Sequence, residues 1–287
     1  MSELEYVLGV QAKLGEGPLW DADAGVLYFV DIESNCYYRY DPGTGRHERI
    51  DVGLPIGVLA LREKGGLAMA TRDGFVFWDP AARRLTPIAD PEADKPHARF
   101  NDGAVDDRGR FWAGTMGDED RNSLYRLDAD LTVHTMETGL GTCNGIGWSP
   151  DRKTMYLTNT PHQVIYAYDF DLDSGGMSNR RTFVASAAEP GYPDGLAVDS
   201  EGFVWSARWG GGKVTRYDPE GRMEREILLP VEQVTCCTFG GPNLDELYIT
   251  TAWTGLSDQQ RAGQPLAGDL FRVRVGVKGI RGARFAA

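Results

Sequence analysis

Residues 104–114 read AVDDRGRFWAG, and residues 197–207 read AVDSEGFVWSA. Each copy opens with a small apolar pair and an aspartate, passes through a turn that contains glycine, and continues as a strand rich in aromatic residues. A second strand then follows, which ends in Leu127-Asp128 in one copy and in Tyr217-Asp218 in the other. The pattern predicts consecutive antiparallel strands joined by tight turns.

This unit occurs six times along the chain. The copies open at Leu19-Trp20-Asp21, Ala60-Leu61-Arg62, Ala104-Val105-Asp106, Gly147-Trp148-Ser149, Ala197-Val198-Asp199 and Thr238-Phe239-Gly240. A repeat of ~40–50 residues that holds about four strands is typical of a propeller blade. We therefore predict an all-β fold, a six-bladed β-propeller with about four antiparallel strands per blade, formed by residues 1–287 as a single domain. The strand around Tyr6-Val7-Leu8 is expected to complete the last blade.

The composition argues against several classes of partner. The chain has 287 residues and a formal net charge of −12, whereas nucleic acids and anionic membrane surfaces attract clustered Lys and Arg. No apolar run approaches the ~18 residues of a membrane-spanning helix, and Glu3 and Glu5 are unlike the start of a signal peptide. We therefore expect a cytoplasmic protein that binds neither nucleic acid nor membrane.

The cysteines match no zinc-binding spacing and are predicted to be buried thiols: Cys36, Cys143, Cys236 and Cys237.

The phase of the repeat selects candidate metal ligands. Five positions before the opening aspartate or its equivalent, four blades carry a carboxylate or amide side chain: Glu16, Asn101, Asn144 and Asp194. The other two blades carry Gly57 and Thr235 there. Because the innermost strands of a propeller surround its central channel, we expect the four side chains to converge at the channel mouth. Such oxygens suit one divalent cation, and the residues do not distinguish among Ca²⁺, Mg²⁺, Mn²⁺, Zn²⁺ and Fe²⁺.

Simpler interpretations of these residues remain open. Asn-Gly and Asp-Gly pairs are strong hairpin signals, so the glycines that follow the candidate ligands are expected to lie in turns. A propeller that binds a cation or a protein without catalysis is one alternative function, because fold does not fix function. Esterase or phosphotriesterase activity on less polar substrates, with a similar metal, is another. The four histidines are scattered and are expected to be surface or packing residues: His47, His97, His134 and His162. The chain has no Gly-x-Ser-x-Gly nucleophile motif, phosphate-binding loop or dinucleotide fingerprint.

Several motifs together resemble the senescence-marker-protein/regucalcin/gluconolactonase family of six-bladed propellers, and the resemblance extends along nearly all of the chain. The motifs are Gly15-Glu16-Gly17-Pro18, Arg99-Phe100-Asn101-Asp102-Gly103, Phe111-Trp112-Ala113-Gly114-Thr115-Met116, Asn144-Gly145, Ser178-Asn179-Arg180-Arg181, Pro193-Asp194-Gly195 and Cys236-Cys237-Thr238-Phe239-Gly240-Gly241. The resemblance implies a metal-dependent hydrolase that opens a sugar-derived lactone, an aldonolactone, to the sugar acid.

The resemblance also implies roles for individual residues. It places the metal ligands at Glu16, Asn144 and Asp194 and the substrate contacts at Arg99, Asn101 and Glu119. On this basis we expect Asp194 to serve also as the general base that takes a proton from the attacking water. Trp209 and Trp253 are expected near the pocket wall. The resemblance implies a small-molecule sugar lactone as the partner, and the protein is expected to be a monomer or a weak homo-oligomer.

Overall fold

The computed structural model describes residues 3–117 and 120–287 and contains six four-stranded antiparallel sheets. The first three sheets consist of β2 (Gly15–Asp21), β3 (Val26–Asp31), β4 (Cys36–Asp41) and β5 (Arg46–Asp51); β6 (Ile56–Leu61), β7 (Leu67–Thr71), β8 (Gly74–Asp79) and β9 (Arg84–Ala89); and β10 (Arg99–Val105), β11 (Phe111–Met116), β12 (Asn122–Leu127) and β13 (Val133–Leu140). A single 3₁₀ turn, Ile32–Ser34, connects β3 to β4.

The remaining three sheets have the same order of strands. They consist of β14 (Cys143–Trp148), β15 (Thr154–Asn159), β16 (Val164–Asp171) and β17 (Gly176–Ala185); β18 (Tyr192–Val198), β19 (Val204–Trp209), β20 (Lys213–Tyr217) and β21 (Met223–Leu228); and β22 (Val234–Gly240), β23 (Glu246–Thr251), β24 (Leu270–Arg274) and β1 (Glu5–Leu8). The predicted six-bladed propeller is therefore confirmed. The prediction that the N-terminal strand completes the last blade is also confirmed, because β1 pairs with β24.

The sequence unit that repeats along the chain forms the turn between the first and second strands of a blade. In the third blade, Asp106 accepts hydrogen bonds from Trp112 Nε1 at 2.8 Å and from Arg110 Nε at 2.7 Å. In the fifth blade, Asp199 accepts the equivalent bond from Trp205 Nε1 at 2.9 Å, and its arginine partner is Arg216 on the third strand, whose Nη2 donates at 2.7 Å. These buried carboxylates are fully paired, which explains why an aspartate and a tryptophan recur six residues apart.

The innermost strands contact one another in order around the ring, and β2 also contacts β22, which closes it. A cavity of about 190 Å³ lies along the ring axis and is lined by the inner strands of all six blades. Residues 280–283 line the same cavity, and the Phe285 amide that follows them donates to the Leu61 carbonyl at 2.8 Å. Because Leu61 ends its inner strand, this C-terminal segment lies at the end of the channel opposite the starts of the inner strands.

The prediction that glycines after the candidate ligands form turns was wrong. Gly17, Gly103, Gly145 and Gly195 all lie inside inner strands. A Cβ on Gly145 would stand 2.4 Å from the backbone nitrogen of Leu196, and a Cβ on Gly195 would stand 2.2 Å from the Cys236 sulfur. Gly145 and Gly195 are therefore required because neighbouring inner strands approach closely.

The only α-helix in the described part of the chain is α1 (Asp258–Gly263), in the loop between β23 and β24. Among the described residues, no helix is long and apolar enough to cross a membrane. The four cysteines are buried and free, as the sequence predicted.

Candidate functional site

A shift in strand register marks the candidate position in every blade. Each inner strand slips against its neighbour at this point: Glu16/Leu19, Ile56/Val58, Phe100/Asp102, Cys143/Ile146, Pro193/Leu196 and Val234/Cys236. Bulges of this kind locally turn a strand and redirect its side chains. The equivalent sequence positions therefore share one local geometry, which the sequence pattern alone did not reveal.

Glu16, Asn144 and Asp194 lie together in the interior near the starts of their inner strands. Their exposed fractions are only 5%, 4% and 4%. Burial raises the pKa of Glu16 well above its usual value, and the negative charge of Asp194 raises it further. Burial likewise raises the pKa of Asp194, whereas the Asn144 side chain and the Arg99 charge lower it. Two carboxylates that are mutually repelling and dehydrated favour either a proton or a cation between them.

The Asn144 amide is held so that its oxygen stays free. Its Nδ2 donates to Thr160 Oγ1 at 3.2 Å, and that hydroxyl donates to the Pro193 carbonyl at 2.8 Å. Within the described residues, Asn144 Oδ1 and Asp194 Oδ1 are buried without a hydrogen-bond donor. A buried polar atom without a partner is costly, so two of them at one site require an explanation.

A divalent cation fits these donors. Among the described residues, no three His, Cys, Asp or Glu side chains are grouped to hold a metal by themselves. A cation here would therefore need the Asn144 amide oxygen together with the carboxylates of Glu16 and Asp194. An all-oxygen set of this kind, completed by water, is the type that hard divalent cations prefer.

Asn101, the fourth residue of the same phase, makes contacts of a different kind. Its Oδ1 accepts a hydrogen bond from Arg99 Nη1 at 2.9 Å, and its Nδ2 donates to the Cys143 carbonyl at 3.0 Å. Since Cys143 immediately precedes Asn144, Asn101 connects Arg99 to the strand that carries a candidate ligand. Arg99 lies close enough to Glu16 and Asp194 for their charges to act on it. Glu119, the third predicted substrate contact, lies outside the described residues.

Asp102 also belongs to this site, although its position in the repeat did not predict it. It is buried, and burial raises its pKa to about 6. Its charge also raises the pKa of both Glu16 and Asp194. The sequence offered one signal, the adjacent carboxylate in Asn101-Asp102-Gly103, but an alternating strand would have placed that side chain on the opposite face.

The two tryptophans lie at the same end of the ring as the site. Trp209 pairs with Tyr192, two residues before Asp194 in the chain. The Trp253 amide donates to the Lys13 carbonyl at 3.1 Å, and its indole nitrogen donates to the Gln11 carbonyl at 2.9 Å. Arg261 stacks over the Trp253 ring at 3.8 Å from its centroid. Both residues are partly buried, and their predicted role in the pocket wall stays a prediction.

Replacing Thr160 with valine is expected to release the Asn144 amide, because the valine neither accepts from Nδ2 nor donates to the Pro193 carbonyl. Changes to groups that hold metal ligands commonly reduce metal affinity about 10- to 100-fold. Isothermal titration with a divalent cation measures this loss. Thr158→Val is the matched control, since the Thr158 hydroxyl is buried without a partner in the described structure and its removal should leave cation binding unchanged. Equal affinities in the two variants would contradict the role assigned to Thr160.

Comparison with known proteins gives similarity over nearly the whole chain. The sequence profile of the SMP-30/Gluconolactonase/LRE-like region matches residues 14–253. Regucalcin of Xenopus laevis is 38% identical over 294 residues, covering 99% of this chain and 98% of that protein. The pentonolactonase of Haloferax volcanii is 42% identical over 281 residues, covering 95% of this chain and 94% of that protein. The solved structure of a calcium-binding protein, regucalcin, from Agrobacterium tumefaciens has a TM-score of 0.93 at 29% identity, covering 97% of this chain and 95% of that chain.

Proposed function

This chain belongs to the SMP-30/gluconolactonase/LRE-like family, and on that premise we propose that it is a divalent-cation-dependent lactonase acting on sugar-derived lactones. The observation that carries the proposal is the pair of buried oxygens, Asn144 Oδ1 and Asp194 Oδ1, that lack hydrogen-bond donors beside the Glu16 carboxylate. What supports a cation is that these two oxygens lie beside a further buried carboxylate, since a divalent cation would satisfy all three groups at once. The similarity to a pentonolactonase supports a sugar lactone as the substrate.

Glu16, Asn144 and Asp194 would hold the cation. When bound, it would supply Lewis-acid chemistry, polarising the lactone carbonyl and stabilising the negative charge that develops on its oxygen. The Thr160 hydroxyl keeps the Asn144 oxygen directed into the site. Ca²⁺, Zn²⁺, Mn²⁺, Mg²⁺ and Fe²⁺ all remain candidates, because each accepts carboxylate and amide oxygens.

The other side chains would bind the substrate and move a proton. The Asp194 carboxylate would accept a proton from the attacking water as the general base, and would return it to the ring oxygen when the acyl C–O bond breaks to give the hydroxy acid. Arg99 and Asn101, already joined by a hydrogen bond of 2.9 Å, would donate to the ring hydroxyls of the lactone. Glu119 would accept a hydrogen bond from another hydroxyl. This polar set favours a hydroxylated lactone over an apolar ester.

A panel of γ- and δ-aldonolactones and aryl esters tests the proposal through the protons released on hydrolysis. The protein is assayed after chelation, and again after each divalent cation is restored singly. We expect hydrolysis of at least one aldonolactone, loss of that activity after chelation and recovery with a cation. Cation binding without hydrolysis of any lactone would support the non-catalytic alternative. The similarity to the calcium-binding regucalcin of Agrobacterium tumefaciens favours that alternative. Faster hydrolysis of aryl esters would contradict the proposed substrate class.

A further inference from the structure

Asp102 occupies a distinct position beside the candidate cation site. It is 5% exposed and lies on β10, immediately after the bulge that carries Asn101. Its Oδ1 accepts a hydrogen bond from the Gly103 amide at 2.7 Å, and no described group donates to its other oxygen. Asp102 lines the axial cavity together with Gly17 and Cys236. The Asp102 carboxylate therefore lies between the candidate cation site and the axial cavity.

The charges around Asp102 do not cancel within the protein. Asp102 raises the pKa of Glu16 and of Asp194, and Arg99 is the cation that lowers the pKa of both. Asp102 is also the charge that contributes most to raising the pKa of the Cys236 thiol. The groups facing Asp102 from the packed inner strands are thus two carboxylates and a thiol. Three buried carboxylates therefore lie near one guanidinium, and a bound divalent cation would offset this excess of acidic groups.

We propose that Asp102 is a charge-balancing residue for the cation. Its negative charge increases the affinity of the site for the cation, and its side chain does not contact the substrate. This inference rests on the cation site of the proposed function. Asp102 is not grouped with Glu16 and Asp194 as a direct ligand set among the described residues. Its effect is electrostatic, and between buried groups such an effect is screened less than at the surface.

Loss of the Asp102 charge should have opposite effects on the cation-free and on the cation-bound protein. Without a cation, the Asp102 charge opposes two other buried carboxylates, so Asp102→Asn should raise the melting temperature of the cation-free protein. With a cation, the same substitution removes one of the compensating charges, so affinity should fall. A residue that only packs or anchors the strand would lower stability in both states and leave affinity unchanged.

The experiment compares Asp102→Asn, Asp102→Glu and wild type, stripped with chelator and titrated calorimetrically with CaCl₂ and, separately, with MnCl₂. Changes around metal ligands commonly alter affinity about 10- to 100-fold, and we expect Asp102→Asn to weaken binding within that range. Asp102→Glu retains the charge and should bind more tightly than Asp102→Asn. Scanning calorimetry of the cation-free proteins should give a higher melting temperature for Asp102→Asn than for wild type.

Asp106→Asn is the matched control, because Asp106 is a buried aspartate four residues further along and is paired with Arg110 and Trp112. It should lower the melting temperature with and without cation and leave the dissociation constant unchanged. Wild-type affinity in Asp102→Asn, or a cation-free form that is less stable or unfolded, would overturn the charge-balancing role. If wild type binds neither cation, or if Glu16→Gln binds as tightly as wild type, the proposed cation site itself fails.

Discussion

Asp194→Asn is expected to lower the rate of lactone hydrolysis by about 10³-fold or more while the propeller remains folded. General bases typically contribute about 10²- to 10⁴-fold, and here the same side chain would also hold the cation. The amide is nearly isosteric with the carboxylate, so the buried pocket should keep its shape. Proton release from the preferred aldonolactone measures the loss, with circular dichroism as the check on folding. Activity equal to wild type would rule out Asp194 as base and as essential ligand.

Cation affinity separates the two roles of Asp194. If it is mainly the base, Asp194→Asn should retain cation binding through its amide oxygen and still lose hydrolysis. If the carboxylate is chiefly a ligand, cation affinity and hydrolysis should fall together, and raising the cation concentration should restore part of the rate. Asn101→Ala provides the comparison, because its loss should weaken substrate binding and raise KM without abolishing cation binding.

Gly145→Ala is expected to destabilise the propeller by about 3 kcal/mol, near the upper end of the usual range for overpacking. The new Cβ would stand 2.4 Å from the Leu196 backbone nitrogen and 2.9 Å from the Asp194 carbonyl oxygen. Backbone atoms of a neighbouring inner strand cannot move aside as a flexible side chain can. The two strands that carry Asn144 and Asp194 would therefore be forced apart.

Urea unfolding, followed by tryptophan fluorescence, measures the destabilisation as a lower midpoint of the transition. Gly263→Ala is the control, because a Cβ there meets nothing within 4 Å. It should stay within about 0.5 kcal/mol of wild type, as surface substitutions usually do. We also expect Gly145→Ala to bind cation more weakly than the control. An unchanged midpoint would contradict the close approach of β14 and β18 as the reason for glycine at this position.

The sequence by itself determined the architecture of this protein. The recurring aspartate, glycine and tryptophan in the segments beginning at Ala104 and Ala197 form local hydrogen bonds, so a short stretch of chain is sufficient to define each turn. Repetition of that turn predicted six blades and the common phase of Glu16, Asn144 and Asp194. Local chemistry and periodicity can be read from sequence because they involve residues close together in the chain.

Only the tertiary structure decided how the site is assembled. Thr160 holds Asn144 from the same blade, and Asn101 reaches the backbone of the next blade. The bulge after Phe100 brings Asp102 beside carboxylates from two other blades, although strand alternation would have turned it away. Gly145 looked like part of a hairpin turn, yet its size is set by the backbone of β18. These contacts join residues distant in sequence, and their geometry depends on strand register and on the spacing between blades, which no local pattern encodes.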